Sequence, residues 1–219
     1  MKKMPLAPLL PSGAEYVELK QQENRYQSLS FLNGTLVNNN NSTSGGIMSR
    51  TFINGVWGLA SSVSMNSPSM EKVIKKALSN ATLLSQSVNK GKLILPSAPA
   101  KGEYLFFTKK PQATTADKID FLKALDDYTI SKYPELSTRQ IALRQDEMEK
   151  FILTSDGGEM HTMTPRSILV IALMVNHNGE PLTHYDVFGG FGQYEDNFSD
   201  PAEYYPIIDQ VYKELYMKQ

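Results

Sequence analysis

Two Asn-Gly pairs, Asn54-Gly55 and Asn178-Gly179, constrain the fold of this chain more than any other feature. The central positions of a type I′ hairpin turn need positive φ, which Asn and Gly tolerate, and both pairs are flanked by β-branched and aromatic residues. Each pair predicts a hairpin, and the two lie 124 positions apart. At that spacing Leu19 meets Leu143, Gln21 meets Gln145, Glu23 meets Glu147, Gly34 meets Gly158 and Val63 meets Val187, with no gap. Unrelated hairpins would not keep other residues in register, so the spacing predicts an internal repeat. Each repeat reads as a strand (Tyr16–Gln21; Gln140–Gln145), a second strand, a Gly turn (Asn33-Gly34; Gly157-Gly158), a third strand and a long hairpin.

A helix follows each repeat. The first, from Ser69 to Ser79, has Ser69 as candidate N-cap and places Met70, Val73, Ile74, Ala77 and Leu78 at helical spacing. The second, Pro206 to Tyr216, buries Ile207, Ile208, Val211 and Leu215 and starts with a proline, which a first helical turn tolerates. A third helix is expected from Thr114 to Lys132 through Ile119, Leu122, Leu125 and Tyr128. The expected fold class is α+β, two repeats of a mainly antiparallel four-stranded β unit, each followed by a helix packed on the sheet. Residues 1–14, broken by three prolines, read as a mobile arm, and residues 15–219 as one domain. Within it the repeats cover about 15–89 and 114–219, joined by a Pro/Gly-containing connector near Lys90 to Lys101.

Composition removes several classes of function. The chain has 219 residues and a net charge of −1, which offers no basic surface for a phosphate backbone or an anionic membrane. Direct nucleic-acid binding is not expected. The longest apolar run, Ile168 to Val175, is strand-sized and far below the roughly 20 residues of a membrane helix, so no membrane partner is expected. The absence of cysteine excludes disulfides, thiolate nucleophiles and Cys-ligated metals and suits a reducing, cytoplasmic compartment.

A search for chemistry returns no catalytic, cofactor-binding or metal-ligating residue. The three histidines, His161, His177 and His184, lack the spacing that places two imidazoles on one helix face. No Gly-x-Ser-x-Gly turn is present. Asp126-Asp127 are adjacent on a helix, so their side chains diverge, and a solvated face is expected. Ser44-Gly45-Gly46 and the Asn38 to Asn41 tract read as solvated loop. Gly189-Gly-Phe-Gly192 is a weak match to a dinucleotide fingerprint, which needs a strand before it, a helix opening on it and an acid about 20 residues on, and reads as a loop allowing close backbone approach.

Gly45 to Arg50 leads into Asn54-Gly-Val-Trp-Gly-Leu-Ala-Ser-Ser62, and this order of motifs resembles the amino-terminal region of the TldD/PmbA family, also called modulator of DNA gyrase. Gly45-Gly-Ile-Met-Ser-Arg50 leading into Asn54-Gly-Val-Trp-Gly-Leu-Ala-Ser-Ser62 is similar to a family strand that turns through a short hairpin into a Trp-Gly-aromatic-Ala strand, with Leu59 where an aromatic is commoner. Phe151 to Gly158 and Gly190-Phe-Gly-Gln-Tyr-Glu195 resemble segments of the second half. The resemblance implies a zinc-dependent metalloprotease that works as a homo- or heterodimer with a TldD/PmbA-type subunit and cleaves unfolded peptides. In the family a glutamate within a His-Glu-x-x-x-His helix activates a zinc-bound water. This sequence has no such motif, so no catalytic or zinc residue carries over, and zinc is expected only in a C-terminal domain beyond Gln219. The resemblance therefore implies a non-catalytic N-terminal domain that contributes to the peptide cleft and dimer surface and is inactive alone; a fragment is expected over a natural short protein. The alternative is a stand-alone peptide- or protein-binding or regulatory module. Trp57 is expected to cover the sheet against the helix near Ser69.

Overall fold

The computed structural model describes residues 6–87, 95, 97 and 99–218. Seven strands and four helices are described: β1 (Tyr16–Leu32), β2 (Thr35–Ile53), β3 (Val56–Ser62), α1 (Ser67–Ser87), β4 (Lys101–Leu105), α2 (Thr115–Lys132), β5 (Thr138–Thr154), β6 (Glu159–His177), β7 (Glu180–Phe191), α3 (Tyr194–Asn197) and α4 (Tyr205–Tyr216). The sheet runs β3-β2-β1-β5-β6-β4, with β7 also paired to β6. The fold is α+β and mainly antiparallel; β4 is the exception, running parallel to β6 from Lys101↔Glu159 to Leu105↔Met163.

Both Asn-Gly pairs turn hairpins with positive φ at each central residue, 47° and 80° at Asn54-Gly55 and 52° and 87° at Asn178-Gly179. Asn33-Gly34 does the same at 49° and 83°. The order long strand, turn, long strand, Asn-Gly turn, strand, helix occurs twice, as β1-β2-β3-α1 and as β5-β6-β7 followed by α3 and α4. Each occurrence has three strands where four were expected, because β1 and β5 continue unbroken through polar stretches. Ladder hydrogen bonds to neighbours on both sides hold such a stretch extended without any apolar alternation to announce it. Asn38–Asn41 and Ser44–Gly46 likewise belong to a strand, β2, and are not loop. A Cβ at Gly45 would come 2.4 Å from the Gln22 carbonyl oxygen, so the glycine serves close strand packing.

The chain divides into two compact units, one comprising Met1–Asn24, Thr43–Leu105 and Met148–Met163 and the other Arg25–Ser42, Phe106–Glu147 and Thr164–Gln219. In the first unit, Val17, Leu19, Ile47 and Leu153 from the strands meet Met70, Val73 and Ile74 of α1. Leu6, from the segment expected as an arm, joins this core. Helix α1 starts earlier than expected. Asn66 Oδ1 accepts from the Ser69 amide at 2.9 Å and satisfies a donor that the first turn leaves open. The helix lies on β3, where Gly58 lets it approach: a Cβ there would sit 2.1 Å from the Ala77 carbonyl oxygen. Trp57 therefore points the other way. It is half-buried, packs edge-on with Tyr16 at 5.8 Å and lies 4.9 Å below the Arg50 guanidinium.

In the second unit, Leu29, Ile141, Leu143, Leu169, Ile171 and Leu173 form the strand side of a core covered by α2 and α4. Helix α2 starts as the sequence predicts, with Thr114 and Asp117 forming a reciprocal capping box. Its buried face also includes Asp126. Asp126 is sealed, not solvated, and its carboxylate accepts from Arg139 Nη2 at 3.1 Å and from the Gly34 amide at 3.3 Å. Asp127 is exposed and pairs with Lys123. Helix α4 carries Pro206 in its first turn and buries Ile208, Val211 and Leu215. Most of the segment from Lys90 to Lys101, read as a connector, lies outside the described residues.

Candidate functional site

The histidines are placed on separate structures. His161 lies on β6 in the first unit, stacked on Phe151 at 3.7 Å, with Nδ1 3.0 Å from Glu103 Oε1 and Nε2 3.0 Å from Glu149 Oε1. The two ring nitrogens face opposite carboxylates, so the three side chains do not converge on one point. His184 belongs to the second unit, where its Nε2 is 2.7 Å from Glu214 Oε2 and its Nδ1 3.0 Å from Lys218 Nζ. His177 ends β6 at the Asn178-Gly179 turn. Among the described residues no group of three or more His, Asp or Glu is placed to hold a metal ion, and zinc does not fit them.

What remains is a pair of binding-shaped surfaces, one in each unit, and a free strand edge. In the first unit Lys20, Gln22 and Asn24 of β1, the Ser44–Met48 part of β2 and Ser61 to Val63 line an open trough of about 530 Å³. In the second unit a depression of about 490 Å³ lies between the start of α2 and the Tyr194–Ser199 segment. Its carboxylates come from Asp117, Asp120 and Glu195, its rings from Phe121, Tyr194 and Phe198. Gly189 lets β7 press against β6 just before this segment, since a Cβ there would stand 2.3 Å from the Ser167 carbonyl oxygen. The Gly189–Gly192 run is thus the end of a strand bending into α3, not a free loop.

Beside the depression runs a polar network. Glu147 accepts from Arg25 Nε at 3.2 Å and from Gln193 Nε2 at 2.6 Å, while Gln193 Oε1 accepts the Thr108 amide at 2.9 Å. The Lys118 ammonium donates to Gln27 Oε1 at 3.1 Å. Burial pushes this lysine below its ordinary range, against the opposing pull of Glu195 and Glu147. Nothing in the sequence announced Lys118 as a buried residue, because a lysine on an amphipathic helix reads as solvent-facing.

The free edge belongs to β2. Strand β3 pairs with β2 only from Ile47↔Ser62 to Ile53↔Val56. The only other neighbour of β2 is β1. Within the second unit, Thr35 to Ser42 therefore has an open edge among the described residues, and all but Asn38 are exposed.

A family model described as PmbA/TldA metallopeptidase domain 1 matches residues 17–81. Over that stretch the chain is similar to the first domain of the PmbA/TldD family. The PmbA/TldD match covers β1, β2, β3 and α1 as far as Ala81, and so includes the Gly58 contact on which α1 rests. Solved structures share the fold over a longer span. A structure from Thermotoga maritima described as a modulator of a DNA gyrase has a TM-score of 0.67 at 15% identity, covering 90% of this chain and 43% of its own. A second so described, from Bacteroides thetaiotaomicron, gives 0.65 at 15% identity over 84% of this chain and 43% of its own. TldE from Thermococcus kodakarensis gives 0.65 at 14% identity over 92% of this chain and 44% of its own. The chain spans less than half the length of these structures. No curated protein matches the sequence.

Proposed function

We propose that this chain acts as a non-catalytic N-terminal domain of a TldD/PmbA-type zinc-dependent metalloprotease, forming a wall of the peptide cleft and part of a homo- or heterodimer surface. The family match to a metallopeptidase first domain supports the protease context. The lack of any metal-holding group among the described residues accords with chemistry supplied by another domain. In that reading the zinc belongs to the C-terminal domain, and this chain's part is to hold an unfolded peptide extended in a cytoplasmic enzyme.

The observation that carries the peptide-holding part is the open edge of β2. Natural sheet edges are guarded by lysine, proline or bulges, because unpaired N–H and C=O groups recruit further strands. From Thr35 to Ser42 this strand has no charged residue and no proline. An edge left unguarded over that length suits an added strand, which main-chain hydrogen bonds would hold with little demand on its sequence.

The test is a substitution that removes one outward donor. Alternate residues of a strand direct their N–H groups to opposite edges, so one alternating set of four amides between Thr35 and Ser42 faces outward. Asn39→Pro and Asn40→Pro each remove one N–H, and the variant of the two that removes an outward donor leaves the β1 ladder intact. Binding of an unfolded peptide to that variant is expected to weaken about fivefold or more, with the unfolding midpoint little changed. Unchanged binding in both variants would remove β2 as the peptide-holding edge.

A further inference from the structure

We infer that the depression in the second unit is a receptor for a cationic side chain, the guanidinium of arginine or the ammonium of lysine, presented by a polypeptide. The inference is independent of the strand-edge reading, since it concerns a side-chain pocket on α2 and α3 and needs no added strand.

The argument starts from Glu195. This residue is only 9% exposed yet lines the cavity. Its Oε1 is fixed by the Ala113 amide at 2.7 Å. Its Oε2 accepts no hydrogen bond among the described residues. A carboxylate on the cavity wall with one oxygen held by the main chain and the other without a protein donor is placed to take a charged N–H donor from outside. The Lys118 ammonium feels the charge of Glu195 but makes its hydrogen bond to Gln27 and lies 5.5 Å from the Tyr194 ring centre. Lys110 donates to the Glu195 main-chain oxygen at 2.7 Å, leaving the carboxylate untouched.

The surroundings select the same ligand. Phe121, Tyr194 and Phe198 form an aromatic cluster, with the Phe121 and Tyr194 rings edge-on at 5.7 Å. The ring atoms that reach the cavity wall offer apolar cover to the methylenes of a basic stem. Asp117 and the exposed Asp120 add negative charge at the mouth. At about 490 Å³ the cavity has room for a long basic side chain. Burial first, then the charge of Glu195, push the Tyr194 phenol upward, as a desolvated site carrying negative charge requires.

The experiment is an NMR titration of the isotopically labelled 219-residue chain with N-acetyl-arginine methylamide and with its neutral counterpart N-acetyl-citrulline methylamide. The arginine compound is expected to shift the Ala113 and Glu195 amides saturably, and citrulline to bind about tenfold more weakly or not at all. Salt is expected to weaken the arginine response. Glu195→Gln keeps an acceptor for the Ala113 amide and is expected to abolish the preference for arginine. Should that variant unfold, Asp120→Asn on the exposed rim carries the test, with an expected loss of about twofold. Equal response to the two compounds, or a preference that survives both substitutions, would overturn the inference. Arginine binding here together with unchanged peptide binding in both Asn39→Pro and Asn40→Pro would leave this pocket standing and remove only the strand-edge reading.

Discussion

At the scale of single residues, Gly58 is the position on which the first unit depends most. A Cβ there would lie 2.1 Å from the Ala77 carbonyl oxygen and 2.3 Å from the Ala81 amide nitrogen, both backbone atoms of α1. No rotamer change relieves a backbone clash, so Gly58→Ala must push the helix off the strand. A loss of about 3 kcal/mol in chemical denaturation is expected. In the second unit the Asp126–Arg139 pair has the same weight for a different reason, since both side chains are nearly sealed from solvent. Asp126→Ala leaves a buried guanidinium without its partner, and denaturation should show a loss of about 3–5 kcal/mol. The sequence hid this pair. Asp126 and Asp127 look alike in the chain, and only the rotation of α2 against the sheet buries one and exposes the other.

Asp209 governs a pH response in the same unit. Burial works against its carboxylate, but hydrogen bonds from Lys132, Tyr133 and Tyr128 together hold it below the ordinary carboxylate range. Its contribution to stability is therefore full above that range and is lost as pH falls through the lowered value. Tyr133 has the opposite sign. Burial first, and the hydrogen bond to Asp209 second, push its phenol up to about 12. The protonated phenol is favoured in the folded state, so this contribution is present below the ordinary value of about 10 and lost as pH rises through about 12. Ultraviolet titration of the tyrosines should show one group ionising near 12 in the parent chain and its return toward 10 in Asp209→Asn.

At the scale of elements, the helices were easier to read than the strands. Thr114, followed three residues later by Asp117, marks the start of α2 because the capping chemistry is local. Helix α1 shows the limit of that logic: Ser69 is a good capping type, but Asn66 occupies the geometry first and Ser67-Pro68 follow as ordinary first-turn residues. Asn66→Ala should lower stability by about 1 kcal/mol while Ser69→Ala leaves it nearly unchanged, a contrast that thermal unfolding resolves. Strand lengths were underestimated because their middles are polar. Gln22 to Gln27 is half-buried throughout. In the second unit its side chains meet partners distant in sequence, Arg25 with Glu147 and Gln27 with Lys118. Hydrophobic alternation cannot signal a strand whose face is a polar network.

At the scale of the whole molecule, the turns at Asn33, Asn54 and Asn178 were written in the sequence because positive φ is a property of the residue itself. The two compact units were not, since each draws on three separated segments of chain and depends on which strands pair. The candidate surfaces were hidden for the same reason: an open edge is defined by the neighbour it lacks, and the Glu195 pocket by elements brought together from residues 110–121 and 194–201. The central claim is that the open edge of β2 receives an extended peptide, and amide hydrogen exchange with and without an unfolded peptide tests it most directly. Slowed exchange at one alternating set of four amides between Thr35 and Ser42, those whose N–H groups point outward, is the predicted result, with the other four unchanged because they already bond to β1. Exchange at the outward four that stays the same when peptide is bound would contradict the account.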